Sequence, residues 1–100
     1  MGVGVDKKVT LNPIQQFIFD SLIEAIIDKG VERNVGMDSP VKCVYYDELR
    51  YVMEGRGYKE IFATENKTTE QQIKSATQTA RMALKKCGKI NFNKTVIWAI

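Results

Sequence analysis

The run Thr68-Thr69-Glu70-Gln71-Gln72 constrains the fold more than any other part of this chain. A threonine followed three residues on by a glutamine is a capping box, in which each side chain satisfies a backbone N–H at a helix start. The spacing predicts a helix from there to about Lys86. Ile73, Ala76, Ala80, Ala83, Leu84 and Cys87 form its apolar stripe. Lys85 and Lys86 suit the negative end of the helix dipole, and Gly88 ends the helix. Two short β-like runs then flank a turn containing Asn91, Asn93 and Lys94, which predicts a hairpin. A long helix that leads straight into a terminal hairpin leaves few small folds open.

The preceding residues narrow the choice. Asn12-Pro13 combines a good N-cap with a proline suited to the first helical turn. Ile14, Phe17, Ile18, Leu22, Ala25 and Ile26 recur at helical spacing, and Gly30 follows Lys29, so a first helix is expected over 13–29. Residues 31–40 hold Gly36, Asp38, Ser39 and Pro40 and read as a loop. Val41–Tyr45 reads as a strand. A second helix opens at Tyr46-Asp47-Glu48, carries Leu49, Val52 and Met53, and stops at Gly55 and Gly57. Residues 58–67 form a connector from which Tyr58, Ile61 and Phe62 reach the core. The order is helix, strand, helix, helix, hairpin. The expected class is therefore α+β: a winged helix-turn-helix with three helices, a short strand and a C-terminal β-hairpin wing. Residues 1–10 are expected to form a flexible N-terminal arm, and residues 11–100 the winged-helix domain.

With 100 residues, 44% hydrophobic and 27% charged, the chain has the balance of one ordinary folded domain. It has no apolar run of the ~20 residues that cross a bilayer, so no membrane association is expected. Met1–Lys8 lacks the apolar stretch of a secretory signal. Histidine is absent and there are two cysteines, too few for a four-ligand zinc site of cysteine and histidine. Cys43 and Cys87 are read as reduced core residues and the compartment as cytoplasmic. No metal, cofactor or nucleophile–base pair is expected, and so no enzyme. Met1-Gly2-Val3-Gly4 lacks the lysine and hydroxyl residue of a phosphate loop.

Net charge is only +3, but it is unevenly spread. Residues 1–40 carry four basic and six acidic side chains, and residues 41–66 carry four and five. Residues 67–100 carry seven basic side chains against Glu70 alone. A basic end on a nearly neutral chain suits a polyanionic partner. Opposite the apolar stripe of the predicted third helix, Lys74, Gln78, Arg81 and Lys85 share one face, and Gln71 extends it. Arg and Gln can read base edges in a major groove, while Lys attracts phosphates. Ser75 and Thr79 flank the stripe, and Lys89 and Lys94 lie on the wing. The candidate nucleic-acid-binding residues are Gln71, Lys74, Ser75, Gln78, Arg81, Lys85, Lys89 and Lys94, with duplex DNA favoured over single strands. The plainer account of the same stripe is a solvated helix face, since these residues are common helix formers.

Other groupings carry less chemistry. Asp47 and Glu48 are adjacent in sequence and point apart on a helix, so capping suits them better than acid–base work. Tyr45, Tyr46 and Tyr51 offer stacking groups for a single strand or packing groups for the core. Trp98 is expected to anchor the last strand against the first helix.

The chain also resembles the winged-helix domain at the C-terminal end of plasmid and phage AAA-type replication ATPases. The likeness runs through Leu11-Asn12-Pro13-Ile14-Gln15-Gln16-Phe17, Val44-Tyr45-Tyr46-Asp47-Glu48-Leu49-Arg50, the stretch Ala76 to Ile90, and Val96-Ile97-Trp98. It covers about residues 11–100. The resemblance implies a role in replication or maintenance of a mobile element, through DNA or through docking to a replication protein. This sequence departs from those proteins in one large respect: it carries no ATPase domain, as either a fragment of such an ATPase or a free-standing small protein of a phage, plasmid or integrative element would. Two rival functions stand beside duplex binding. One is a protein-interaction or homodimerisation module using the first helix or the Tyr45–Tyr51 region. The other is a single-strand binder using the three tyrosines.

Overall fold

The capping boxes fix where the two longest helices begin. The computed structural model describes residues 11–100, so the expected arm at 1–10 lies outside the described residues. Asn12 accepts from the Gln15 N–H at 2.8 Å while the Gln15 side chain accepts from the Asn12 N–H at 3.1 Å, starting α1 (Pro13–Lys29). Thr69 and Gln72 make the same exchange at 3.1 and 3.2 Å and start α4 (Glu70–Lys86). Between these helices come β1 (Val31–Arg33), β2 (Val41–Tyr45), α2 (Tyr46–Gly55) and α3 (Tyr58–Thr64). After α4 come β3 (Ile90–Phe92) and β4 (Val96–Ala99). The class is α+β.

The strands form one antiparallel sheet in the order β1-β2-β4-β3. Val44 pairs with Ile97, and Phe92 pairs with Ile97 from the other side. Partners directly opposite each other share a face, so these three side chains point one way. With Ile90, they pack into the main core against Ile14, Phe17, Ile18, Leu22 and Ala25 of α1 and Ala80 and Leu84 of α4. Leu49, Val52 and Met53 of α2 close the same core. Ser21 is buried among these residues because its hydroxyl donates to the Phe17 carbonyl at 2.7 Å.

Four expectations are corrected. The connector 58–67 contains a helix, α3, which makes four helices among the described residues rather than three. Phe62 is fully buried there and packs edge-on against Phe17 and Tyr58. Burying one such ring contributes roughly 1.5–3 kcal/mol, enough to fold a short segment with modest helix propensity. The loop 31–40 begins with β1, whose Val31 and Arg33 pair with Cys43 and Val41. The turn residues that suggested a loop occupy only its second part, as the connection of a β1–β2 hairpin.

Trp98 does not face α1. It is buried on the opposite side of the sheet with Cys43 and Val96, packed by Val35 and Val41. Alternation decides this: Ile97 points into the main core, so Trp98 must point away. Cys87 is exposed rather than buried, while Cys43 is buried, and both thiols are free. Cys87 is the C-cap of α4, past the last turn whose periodicity holds side chains against the core.

Two glycines answer specific backbone demands. Gly30 caps α1 in an extended conformation, φ −65° and ψ 137°, and not in the left-handed one usual for a helix-ending glycine. A β-carbon there would lie 2.4 Å from the Ile26 carbonyl oxygen. Gly57 takes φ +75°, which lets the chain reverse between α2 and α3. Among the described residues, no helix is long and apolar enough to cross a membrane.

Candidate nucleic-acid interface

α4 packs its inner side on α1 and β3, and that contact sets which side chains face out. Gln71, Lys74, Ser75, Gln78 and Lys85 are all exposed, as the helical spacing predicts. Thr79 is exposed as well. Glu70 is the single acid on this helix and lies in its first turn, where a negative charge suits the dipole. The ion pairs among the described residues are Arg50–Glu54 and Arg56–Glu24, both away from α4. No described carboxylate therefore neutralises the cations of α4.

Arg81 stands apart from the rest of the set. It is half-buried at the margin of the exposed face, with its guanidinium carbon 4.9 Å from the Tyr46 ring centre and 5.3 Å from that of Phe92. Its Nε is buried without a hydrogen-bond partner among the described residues. The Lys85 amine lies 4.9 Å from the same Phe92 centre. Tyr46, the first residue of α2, donates its hydroxyl to the Asn93 carbonyl in the β3–β4 turn. Burial raises the Tyr46 phenol pKa, and the charge of the adjacent Arg81, together with a side-chain hydrogen bond from it, offsets part of that rise.

The two hairpin lysines separate. Lys94 is exposed in the three-residue turn 93–95, where the Asn93 side chain accepts from the Thr95 and Val96 N–H groups at 2.8 and 2.9 Å. Lys89 precedes β3 at the other end of the hairpin. It is half-buried, with its amine 5.7 Å from the Phe19 ring centre on α1. Lys94 thus stands exposed at the hairpin turn, while Lys89 lies at the hairpin base against α1.

Each of the three tyrosines lies against a different cation. Tyr45 lies beneath Arg33 at 4.4 Å, Tyr46 beneath Arg81, and Tyr51 beside Lys29 at 5.8 Å. Their cations come from β1, α4 and the end of α1. Glu48 caps α2 by accepting from the Tyr45 N–H at 2.9 Å, the role expected for it.

Sequence reasoning passed over Met82, Phe92 and Tyr46 as parts of this surface. Met82 is 56% exposed and lies one turn beyond Gln78 on the same face, so helical phase alone could have found it. The aromatic seat of Arg81 joins three elements and leaves no local signal. The chain matches no protein-family model, no curated protein and no solved structure at a significant level.

Proposed function

We propose that this chain is a DNA-binding domain of winged-helix type that engages duplex DNA through the outer face of α4 and the β3–β4 turn. The observation that carries the reading is the α4 surface itself. Gln71, Lys74, Ser75, Gln78 and Lys85 are exposed on a helix whose cations have no described carboxylate partner, and the wing turn adds exposed Lys94. Donors in the N-terminal half suit base edges, and cations toward the C-terminal end suit phosphates. The winged-helix assignment rests on the succession α1, β2, α2, α4, hairpin, together with the pairing of β2 to β4. In this reading β1 and α3 are additions to the basic plan. A role in replication or maintenance of a mobile element rests on the sequence resemblance alone, and a cytoplasmic setting on reading the two free thiols as reduced.

Binding of labelled random-sequence duplex, read by fluorescence anisotropy over a salt series, tests the reading. Affinity falling linearly in log–log form with salt supports it. No binding at low salt sinks it.

A second reading, a protein-interaction or homodimer module, draws on exposed side chains of α1 and α2. Ile27 is 78% and Tyr51 69% exposed, and Lys29 joins α1 to the Tyr51 ring. Sedimentation velocity over a concentration series separates the two. A monomer at high micromolar concentration that binds duplex DNA counts against self-association.

A further inference from the structure

We infer that Arg81 and Lys85, seated together on the Phe92 ring, form a clamp for one phosphate group and take no part in reading bases. The inference rests on the DNA-binding reading and assigns a ligand class to one part of that surface.

The chain's arginines differ in where they find acceptors. The sequence has four. Arg50 pairs with Glu54, Arg56 pairs with Glu24 at 2.7 Å, and Arg33 donates to the Cys43 carbonyl at 3.3 Å. Arg81 pairs with no described acid, and its Nε is buried without an acceptor. A buried unsatisfied donor costs stability, and like charges four residues apart on a helix add a smaller cost. Lys85 stands in that i+4 position. The fold nevertheless holds both cations over one aromatic ring, at 5.3 and 4.9 Å from its centre.

Cation–π contact offsets part of that cost and fixes the guanidinium plane. The Tyr46 ring, 4.9 Å away, limits it further, and the Tyr46–Asn93 hydrogen bond ties this seat to the wing turn. A guanidinium held in this way cannot swing out to follow base edges in a groove. What it presents is a fixed fork of donors beside a second positive charge, an arrangement matched to the oxygens of a phosphate. Sequence discrimination then falls to Gln71, Lys74, Ser75 and Gln78, which are exposed on the earlier turns of α4.

The test uses the full chain and two variants, R81Q and K85Q, with folding checked by circular dichroism. Each is titrated with random-sequence duplex across a salt series. Each cation removed should reduce the log–log salt slope by about 0.9, with the same fractional loss of affinity on unrelated duplexes. Lys85 is exposed, so K85Q decides the matter if R81Q does not fold. In parallel, the Arg81 Nε–H resonance of the unmodified chain is followed by NMR on adding duplex DNA and, separately, inorganic phosphate.

Reduced slopes with a resonance moved by duplex support a clamp for backbone phosphate. A resonance moved by inorganic phosphate, in a chain that does not bind duplex, supports the phosphate site and overturns the DNA-binding reading. Unchanged slopes in folded variants of a chain that does bind duplex overturn the clamp and leave DNA binding standing. A resonance moved by neither ligand overturns the clamp as well.

Discussion

The hydroxyl of Tyr46 donates to the backbone carbonyl of Asn93, joining the first turn of α2 to the turn of the β3–β4 hairpin. Forty-seven residues separate the two in sequence. The bond fixes the hairpin turn relative to the helices, and the Tyr46 ring lies beneath Arg81. Tyr46→Phe keeps the ring and removes the donor. The expected loss is about 0.5–1.5 kcal/mol, read as a lower midpoint in urea with unchanged slope. A midpoint equal to that of the unmodified chain would show that the bond contributes nothing.

The same residue sets a pH dependence. Burial raises the folded-state pKa of Tyr46 above its value in the unfolded chain. Its contribution to stability is therefore complete below the ordinary phenol range near pH 10. That contribution is lost as pH rises through the folded-state value. Stability measured from pH 9 upward should fall less steeply in Y46F than in the unmodified chain. Parallel curves would contradict the assignment.

Gly30 has a steric role that glycine content alone does not reveal. A β-carbon there meets the Ile26 carbonyl oxygen at 2.4 Å, so backbone must move to admit it. Gly30→Ala should destabilise by about 1–3 kcal/mol in chemical denaturation, the usual cost of overpacking. A neutral effect would mean that the end of α1 relaxes freely.

The thiols offer a test of the sheet's two faces. Cys87 is exposed and Cys43 is buried beside Trp98. With a chromogenic thiol reagent, one equivalent should react at once in the native protein. The second should appear only when denaturant is added. Cys87→Ser should abolish the fast phase. Two fast thiols would contradict the burial of Cys43.

Much of this molecule is legible in its residues, and the failures share a cause. Asn12 and Thr69 mark their helices because capping is local, with donor and acceptor three residues apart. The exposed face of α4 is legible for the same reason, since phase along one helix needs no partner. β1 was missed because three residues carry little pattern and their stability comes from pairing with Val41–Cys43. α3 was missed because its helix depends on burying Phe62 against Phe17, distant in sequence. Trp98 was misplaced because an apolar run such as Val96–Trp98 is buried on both faces, so hydrophobicity no longer says which side is which. The aromatic seat of Arg81 was not legible because its rings come from α2 and β3, which no helical projection can show.

The most direct test of the central claim, DNA binding through α4, is anisotropy with a labelled random-sequence duplex for the unmodified chain and a Lys74→Glu/Lys85→Glu double variant. Both side chains are exposed, so the variant should stay folded. Binding through α4 entails salt-dependent binding by the unmodified chain, and weaker binding with a shallower log–log slope in the variant. Equal affinity and slope in a folded variant, or no binding by the unmodified chain at low salt, would contradict it.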